Sequence, residues 1–434
     1  MFIIQLLIVL ALIYAGSRYG SVAIGAFSGI GLAILVFGFG MAPGTPPTDV
    51  IYIIIAAVTC ASIMSAAGGM DYLIQFAERL IRRHPQHITI LAPLCTFTLT
   101  VLVGTGHVVY TLMPIIADVA LKKGVRPERP CAVASIASQV GITSSPIAAA
   151  VVAFSTISAA NGFPVTIPQI MMVTLPAGFC GVLLAALCST RRGKDLDKDE
   201  EFQKRLADPE MRAYMYGDVN STLGQQISRK AKLSVWILLA AIACIVLLAC
   251  FHYSHIKMNL AIQIVMLSAS GLMIFLCDVK PNQVASNAVF RNGMVAVIAI
   301  FGVAWMADTF FGAYIEDMKS SFGTLMAAKP WLISILFFLT SVLLNSQGAV
   351  VVAMLPLAYS FGIPGYVLLG VLPSVYGYFF IPNYPSDLAT VNFDKSGTTR
   401  IGKYLFNHSF MMPGLVSVIS SSAIGLAISA LLFA

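Results

Sequence analysis

Long apolar runs separated by short polar segments dominate the chain. A helix that crosses the roughly 30 Å hydrocarbon core of a membrane needs about 20 mostly apolar residues. Ten runs are close to that length or longer, and they occupy residues 2–16, 21–41, 50–70, 130–153, 166–189, 233–251, 258–277, 293–311, 367–392 and 411–433. The pattern therefore predicts an all-α polytopic membrane protein.

Composition and charge exclude several other classes. The 434 residues are 58% hydrophobic and 10% charged, whereas soluble domains carry about 25% charged residues. The run at 2–14 lacks the basic start and small-residue cleavage site of a signal peptide, so we interpret it as a retained helix. The net charge of +7 comes mostly from short segments between apolar runs and forms no basic patch with stacking aromatics, which argues against nucleic-acid binding.

The runs divide into two halves of five, residues 1–190 and 233–434, joined by a hydrophilic linker at 191–232. Between its third and fourth runs, each half has an amphipathic stretch and then an apolar segment interrupted by polar residues. We predict that these interrupted segments are re-entrant hairpins at about 88–122 and 330–362, with their tips at 104–107 and 345–348.

The two halves match at one offset of about 240 residues. GTGHVVYTLMP (104–114) lies opposite SQGAVVVAMLP (346–356), and the amphipathic stretches 71–87 and 312–329 also correspond. Because five is odd, a second copy of five spans enters the membrane upside down, as in many secondary transporters. The match predicts two inverted repeats, and coincidental similarity among apolar segments is the alternative.

The distribution of Lys and Arg supports this topology. With the N-terminus outside, 23 of the 26 basic residues fall on the inner side, and only Lys257, Lys319 and Lys329 fall outside. Inner loops of membrane proteins carry the excess of basic residues, so we expect both termini to face outward. The mixed-charge run at 194–201 predicts a solvated linker, with a regulatory docking surface as the alternative.

Polar residues within four apolar segments indicate where a solute would bind. Non-helical backbone at membrane depth survives only where protein, water or a solute satisfies it, and Pro146, Pro382 and Pro385 are expected to open the fourth spans at 130–153 and 367–392. An opened helix presents a positive N-terminus that suits anions. The candidate binding residues are Thr105, Gly106, His107, Thr143, Ser144, Ser145, Asn345, Ser346, Gln347, Asn383, Tyr384 and Ser386.

Two such clusters, one from each half, fit a solute with an anionic group at each end, such as a dicarboxylate. The alternative is that these small and polar residues only pack helices together. Ionisable residues inside apolar stretches are functional candidates. Asp387 and His107 are therefore candidates for ion or proton coupling, and Arg400 is a candidate charge partner of Asp387. Asp308, near the end of a span, is a further functional candidate. The alternatives are a helix-capping Asp387, an interface His107 and an Asp308 at the membrane boundary.

The sequence contains no P-loop, no Gly-x-Ser-x-Gly elbow and no dinucleotide fingerprint after a strand, and it predicts neither a cofactor nor a metal site. We therefore expect a transporter driven by a gradient or by exchange, not an enzyme.

Several strings together resemble the anaerobic C4-dicarboxylate transporter (Dcu) family over essentially the whole chain. They are GTGHVVY (104–110), RPERP (126–130), GKDLDKDEEFQ (193–203), GVAWMA (302–307), YPSDLA (384–389) and SGTTRIG (396–402). The resemblance implies an antiporter of the bacterial inner membrane that takes up fumarate, malate or aspartate and exports succinate in anaerobic respiration. It also implies a homodimer with an elevator-like division into scaffold and transport domains. A membrane sensor kinase is an implied partner. A cation/proton antiporter of the same superfamily is the alternative function.

Overall fold

The computed structural model describes residues 1–19, 22–217, 221–250, 256–382, 384–402, 404 and 407–434. Its secondary structure is helical, and within these ranges the only β-type pairing is an isolated bridge between Ile401 and His408. The α-helices are α1 Phe2–Tyr19, α2 Ala23–Ala33, α3 Thr48–Ala66, α4 Gly69–Arg83, α5 Ile88–Val103, α6 Val109–Lys122, α7 Glu128–Val140, α8 Ala149–Ala160, α9 Ile167–Ser189, α10 Glu200–Ala207, α11 Pro209–Tyr216, α12 Arg229–Cys250, α13 Met258–Cys277, α14 Pro281–Ser286, α15 Ala288–Ala328, α16 Ile333–Leu344, α17 Gln347–Ser360, α18 Gly365–Gly370, α19 Pro385–Phe393 and α20 Met411–Phe433.

The all-α polytopic class predicted from the sequence is confirmed. In the described ranges, eight helical segments are long and apolar enough to cross a membrane. The predicted runs 258–277 and 411–433 coincide with α13 and α20. One qualifying segment, Pro85–Val103, is the first arm of the hairpin predicted at 88–122. Length and hydropathy do not separate such an arm from a full crossing, because both need a continuous apolar helix.

The helices of the two halves occur in the same order, and their packing partners correspond. By their order, α2, α3, α6 and α8 of the first half correspond to α13, α15, α17 and α19 of the second. Helix α2 packs on α15, and its counterpart α13 packs on α3. Likewise, α8 packs on α17, and its counterpart α19 packs on α6. Helices α9 and α20, the last of each half, pack extensively against each other. Equivalent helices therefore exchange partners between the halves.

The two hairpin tips share one backbone conformation. Helix α5 is capped by Gly104, which is left-handed with φ +79°, and Thr105 is extended at φ −144°. Helix α16 ends at Asn345, which is left-handed with φ +50°, and Ser346 is extended at φ −151°. Glycine and asparagine are the residues that tolerate a left-handed helix end. Each tip thus ends one helix and starts the next through the same backbone conformation.

Both fourth spans are interrupted. After α7 the chain forms a 3-10 turn, Gly141–Ser144, and Ser145 is extended before α8 begins at Ala149. The second interruption is longer than the prolines at 382 and 385 indicate, because α-helix already ends at Gly370 and resumes only at Pro385. Gly377 lies within it, where an added Cβ would stand 2.6 Å from the carbonyl oxygen of Phe338.

The linker is docked on the protein, while six of the eight residues in the mixed-charge run at 194–201, which was predicted to be solvated, are exposed. Leu196, Phe202 and Met215 are buried together with Leu121. Arg126 forms ion pairs with Glu128 and Asp199. Burial opposes the ionisation of Asp199, but the hydrogen bond from Arg126 prevails and lowers the pKa of this carboxyl below its usual range. The linker is therefore fixed by both apolar burial and charge.

Candidate functional site

A cavity of about 570 Å³ lies between the hairpin tips and broken helices on one side and α1–α3 and α15 on the other. Its volume falls in the roughly 300–1,000 Å³ range of ligand sites. Ile54, Ala57 and Ala299 give one wall an apolar surface, while the tips contribute polar residues to the opposite wall. A solute here would contact both halves of the chain.

Four helix beginnings meet at this cavity, one from each predicted break. Thr105 and Ser346, at the two tips, lie on the wall. The Thr105 hydroxyl accepts a hydrogen bond from the His107 amide at 3.4 Å, and the Ser346 hydroxyl accepts one from the Ala349 amide at 3.3 Å. Ala149, the first residue of α8, and Pro385, the first of α19, also line the cavity. Since the N-terminal end of a helix carries a partial positive charge, the cavity favours anions.

A buried amide network links the tips to the interruptions. The Tyr378 hydroxyl donates to Gln139 Oε1 at 2.8 Å, and Gln347 Nε2 donates to the Gln139 carbonyl oxygen at 2.8 Å. Gly106 packs against the same glutamine, because a Cβ added at Gly106 would lie 2.4 Å from Gln139 Nε2. Gln139 was not among the residues predicted from the sequence. The one sequence feature that could have identified Gln139 is that it is the single amide side chain in the apolar run 130–153.

Asp387 is buried in α19 beside this network. Its Oδ1 accepts a hydrogen bond from the Ser135 hydroxyl of α7 at 2.7 Å. Its Oδ2 is buried and has no hydrogen-bond partner among the described residues. Ser386, a predicted binding residue, contacts the Ser135 hydroxyl at 3.3 Å. Ser135 was not selected from the sequence because a serine in an apolar helix more often packs or bonds to its own backbone.

The predicted binding residues separate into two groups. One group lines the cavity and consists of Thr105, His107, Asn345, Ser346, Gln347 and Tyr384. The other lies behind the wall: Thr143 donates to the Val140 carbonyl at 3.1 Å and Ser144 donates to the Thr174 carbonyl at 2.8 Å. Ser145 is buried and accepts a long hydrogen bond, 3.5 Å, from the Ile147 amide. Asn383 lies outside the described residues.

The remaining ionisable candidates have defined surroundings. Arg400 lies 3.5 Å from Glu201 of the linker, and within the described residues no ion pair joins it to Asp387. The structure therefore does not bring these two predicted charge partners together. Asp308 accepts a hydrogen bond from the Thr45 amide at 2.8 Å, and its position at the membrane boundary stays a prediction. His107 stacks on Tyr110 with 5.6 Å between ring centroids.

Arg18, at the end of α1, also lines the cavity and was counted in the sequence only as a topology signal. It is the only cationic side chain on the wall in the part of the chain that the structure describes. The sequence offered a hint, because Arg18 is the only Lys or Arg before Arg79. Asn292, near the start of α15, lines the cavity as well.

Spanning helices that break around a cavity with one apolar and one polar wall are typical of a multi-pass membrane transporter. Residues 1–433 match the family described as anaerobic C4-dicarboxylate membrane transporter, DcuA/DcuB. The chain belongs to this family, which is a transporter family and not an enzyme family.

Individual relatives match over nearly their full length. The chain is 43% identical over 435 residues to the anaerobic C4-dicarboxylate transporter DcuB of Escherichia coli O157:H7, and equally to that of Shigella flexneri, covering 98% of both chains in each case. It is 36% identical over 445 residues to the C4-dicarboxylate transporter DcuA of Wolinella succinogenes, covering 100% of both chains. The family resemblance inferred from sequence strings is confirmed.

Proposed function

We propose that this protein exchanges C4-dicarboxylates across the bacterial inner membrane, with fumarate, malate or aspartate entering and succinate leaving. The observation that carries the proposal is the meeting of four helix beginnings at one cavity, two from each half of the chain. A dicarboxylate has a negative group at each end, so both ends find a positive helix terminus. The family names of the relatives agree with this substrate class.

The hairpin tips are the proposed main contacts of the two carboxylates. Thr105, Gly106 and His107 would hold one end, and Asn345, Ser346 and Gln347 the other. The hydroxyls of Thr105 and Ser346 cap their helices by accepting from the His107 and Ala349 amides, so other amides of each first turn would remain for the solute. Tyr384 borders the cavity between the tips and α19, and Thr143, Ser144, Ser145, Asn383 and Ser386 would shape the interruptions behind them.

The chain is proposed to consist of two inverted repeats, 1–190 and 233–434, joined by the linker 191–232. The matched tip conformations and exchanged packing partners support this division. In an elevator-like mechanism the hairpins and broken fourth spans would form the transport domain, and the other helices would form a dimeric scaffold. Rigid-body displacement of one domain against the other is a general route to alternating access.

The cavity is proposed to open toward the inner side. Its scaffold wall includes Arg18 at the end of α1, Ile24 at the start of α2 and Asn292 near the start of α15. The distribution of basic residues supports placing these helix ends on the inner side and both chain termini in the periplasm. The docked linker, on the same side, would be the surface available to a membrane sensor kinase.

Asp387 is the proposed proton-coupling group, with His107 as a second candidate at the cavity. The unpartnered Oδ2 of Asp387 supports this role, since a buried carboxylate oxygen without a donor favours protonation or a bound cation. Ser135 would orient the carboxyl through its hydrogen bond to Oδ1.

The proposal is tested with purified protein in liposomes loaded with succinate. External labelled fumarate should accumulate inside only when succinate is present within. Liposomes loaded with a monocarboxylate of similar size serve as the matched control and should show no accumulation. Equal uptake with either load, or no uptake with succinate, would contradict the proposed exchange.

A cation/proton antiporter is the second candidate function. It is favoured by three of the buried oxygens that lack partners in the described ranges, Asn345 Oδ1 and Gln347 Oε1 at the second tip and Asp387 Oδ2 on α19, because amide and carboxylate acceptors suit a cation. Proton movement driven by a Na⁺ or K⁺ gradient in liposomes free of dicarboxylate would decide for this alternative. Proton movement that requires dicarboxylate would decide against it.

A further inference from the structure

A second cleft, distinct from the central cavity, lies where the amphipathic helix α4 meets the start of α12. It has a volume of about 350 Å³, and Tyr72, Arg79, Gln225, Gln226 and Lys232 contribute to its lining. We call it the interfacial cleft. We propose that it binds the phosphate of an anionic phospholipid headgroup.

The two cations of the interfacial cleft are not neutralised by protein. Within the described residues, neither Arg79 nor Lys232 has a carboxylate within ion-pair distance. Lys232 Nζ lies 5.8 Å from the centroid of the Tyr72 ring. Arg79 uses one N–H to donate to Gln75 Oε1 at 2.8 Å, and a guanidinium has five N–H groups. Both side chains therefore retain donors for a phosphate.

The walls of the cleft are held in place by neighbouring hydrogen bonds. Gln75 Nε2 donates to the carbonyl oxygens of Thr222 at 2.8 Å and Gln225 at 3.0 Å. Gln75 thus fixes the end of the linker against α4 and at the same time accepts from Arg79. The cleft is a built feature of the fold, since a buried amide joins its cationic wall to its linker wall.

The surroundings match a lipid and not only a free phosphate. Trp236, one turn after Lys232 on α12, is 64% exposed, and Phe76, one turn before Arg79 on α4, is 65% exposed. Helix α12 is long and apolar enough to cross the membrane, so Lys232 lies near the membrane boundary and Trp236 lies deeper. Tryptophan at this level is typical of the membrane interface. A headgroup on the two cations would leave its acyl chains beside exposed aromatic surface.

The test measures phosphatidylglycerol retained by the purified full chain in an uncharged detergent, by native mass spectrometry. Each basic residue near an anionic surface contributes about 1 kcal/mol, or about fivefold in affinity. We expect Lys232→Gln and Arg79→Gln each to weaken retention about fivefold, and the double variant about thirtyfold. Lys230→Gln is the matched control, because Lys230 lies on the same helix and pairs instead with Asp278 at 3.1 Å. It should leave retention within about twofold.

Two further ligands in the same experiment distinguish an anionic lipid from other phosphate compounds. Phosphatidylcholine and inorganic phosphate should each be retained at least tenfold more weakly than phosphatidylglycerol. Equal retention of phosphatidylcholine would overturn the anionic requirement, and equal binding of inorganic phosphate would overturn the lipid assignment. Equal loss in Lys230→Gln would show a diffuse charge effect and no site.

A stability measurement supplies a second readout. A ligand that binds only the folded state raises the unfolding temperature. We expect phosphatidylglycerol to raise it in the unaltered protein and in Lys230→Gln but not in the double variant. The same rise in all three proteins would overturn the proposal.

Discussion

The hydroxyl of Ser135 on α7 lies 2.7 Å from Oδ1 of Asp387 on α19, and this hydrogen bond is one of several that join the two halves near the cavity. The bond leaves Oδ2 of the same carboxyl buried without a partner among the described residues. Asp387 therefore has one oxygen that is held and one that is available to a proton or cation.

Replacement of Asp387 by Asn tests coupling separately from substrate binding. We expect net fumarate uptake driven by an inward proton gradient to be lost, because an amide cannot take up the proton. Exchange of external fumarate for internal succinate should persist. Both fluxes are measured in the same proteoliposome preparation. Thr390→Val is the control, since Thr390 lies on the same helix and donates only to the Ser386 carbonyl. Retention of proton-driven uptake in Asp387→Asn would refute the coupling role.

The hairpin tips are tested by removing one hydroxyl at a time. We expect Thr105→Ala and Ser346→Ala each to weaken solute binding by about 1–3 kcal/mol, the cost of leaving a buried polar group unpaired. The apparent KM of fumarate exchange should rise correspondingly. Ser360→Ala is the control, because Ser360 lies at the far end of α17 from Ser346 and donates to the Leu357 carbonyl. Unchanged KM in both tip variants would refute the assignment.

Arg18 is expected to attract the dianion at the mouth of the cavity. Arg18→Gln should raise the KM for internal succinate roughly three- to tenfold at low salt, because a lone cation increases the local concentration of an anionic substrate. The difference should shrink as salt screens the charge. Oriented vesicles measure each side separately, and the KM for external fumarate should change little.

Arg291→Gln is the control, because Arg291 is an exposed cation next to Asn292 but does not line the cavity. An equal effect of both variants would contradict a specific role.

The close packing of Gly106 predicts that an added methyl displaces the first tip. In Gly106→Ala the new Cβ would meet Gln139 Nε2 at 2.4 Å and the Ser138 carbonyl oxygen at 2.9 Å. We expect a loss of about 1–3 kcal/mol of stability from overpacking and at least tenfold slower exchange. Gly29→Ala is the control, because nothing lies within 4 Å of its added Cβ and alanine favours a helix. Thermal unfolding and exchange rates are the measurements, and normal exchange in Gly106→Ala would be inconsistent with this packing.

The hydrogen bonds of Glu78 to the linker lead us to expect that the linker detaches from α4 in acid. Burial of Glu78 works against its ionisation, but hydrogen bonds from Ser221, Thr222 and Arg82 outweigh burial and lower its pKa below the usual 4.5. A lowered pKa stabilises the docked state above pH 4.5, and this stabilisation is lost as the pH falls through the lowered value.

A fluorophore on Leu223→Cys, in a background without other reactive cysteines, should report constant docking above about pH 5 and release at lower pH. In Glu78→Gln the signal should not depend on pH in this range. Acid release that persists in Glu78→Gln would assign the transition to another group.

Much of the fold was predictable from the chain because the membrane imposes simple requirements. Helices α13 and α20 begin and end where the apolar runs do. The tips at Thr105 and Ser346 were predictable because polar residues are costly in an apolar segment unless the chain turns there. Matching strings over the whole length also identified the family.

The candidate site was only partly predictable. Thr105 and Ser346 line the cavity as expected, but Thr143 and Ser144 turn their hydroxyls to backbone carbonyls behind the wall. Gln139, Ser135 and Arg18 became candidates only through their neighbours. A single polar residue in an apolar helix has the same sequence signature whether it faces a cavity, a carboxylate or its own backbone.

The sequence by itself determined the membrane class and the places of the two tips and of the first helix interruption, and it predicted two matched halves, because these depend on hydropathy, helix length and backbone chemistry along the chain. Tertiary structure alone decided that the four helix beginnings meet at one cavity and that Ser135, not Arg400, contacts Asp387. It also decided that the charged linker is docked. These relationships join residues far apart in the chain, and only the packing of helices fixes which of them come into contact.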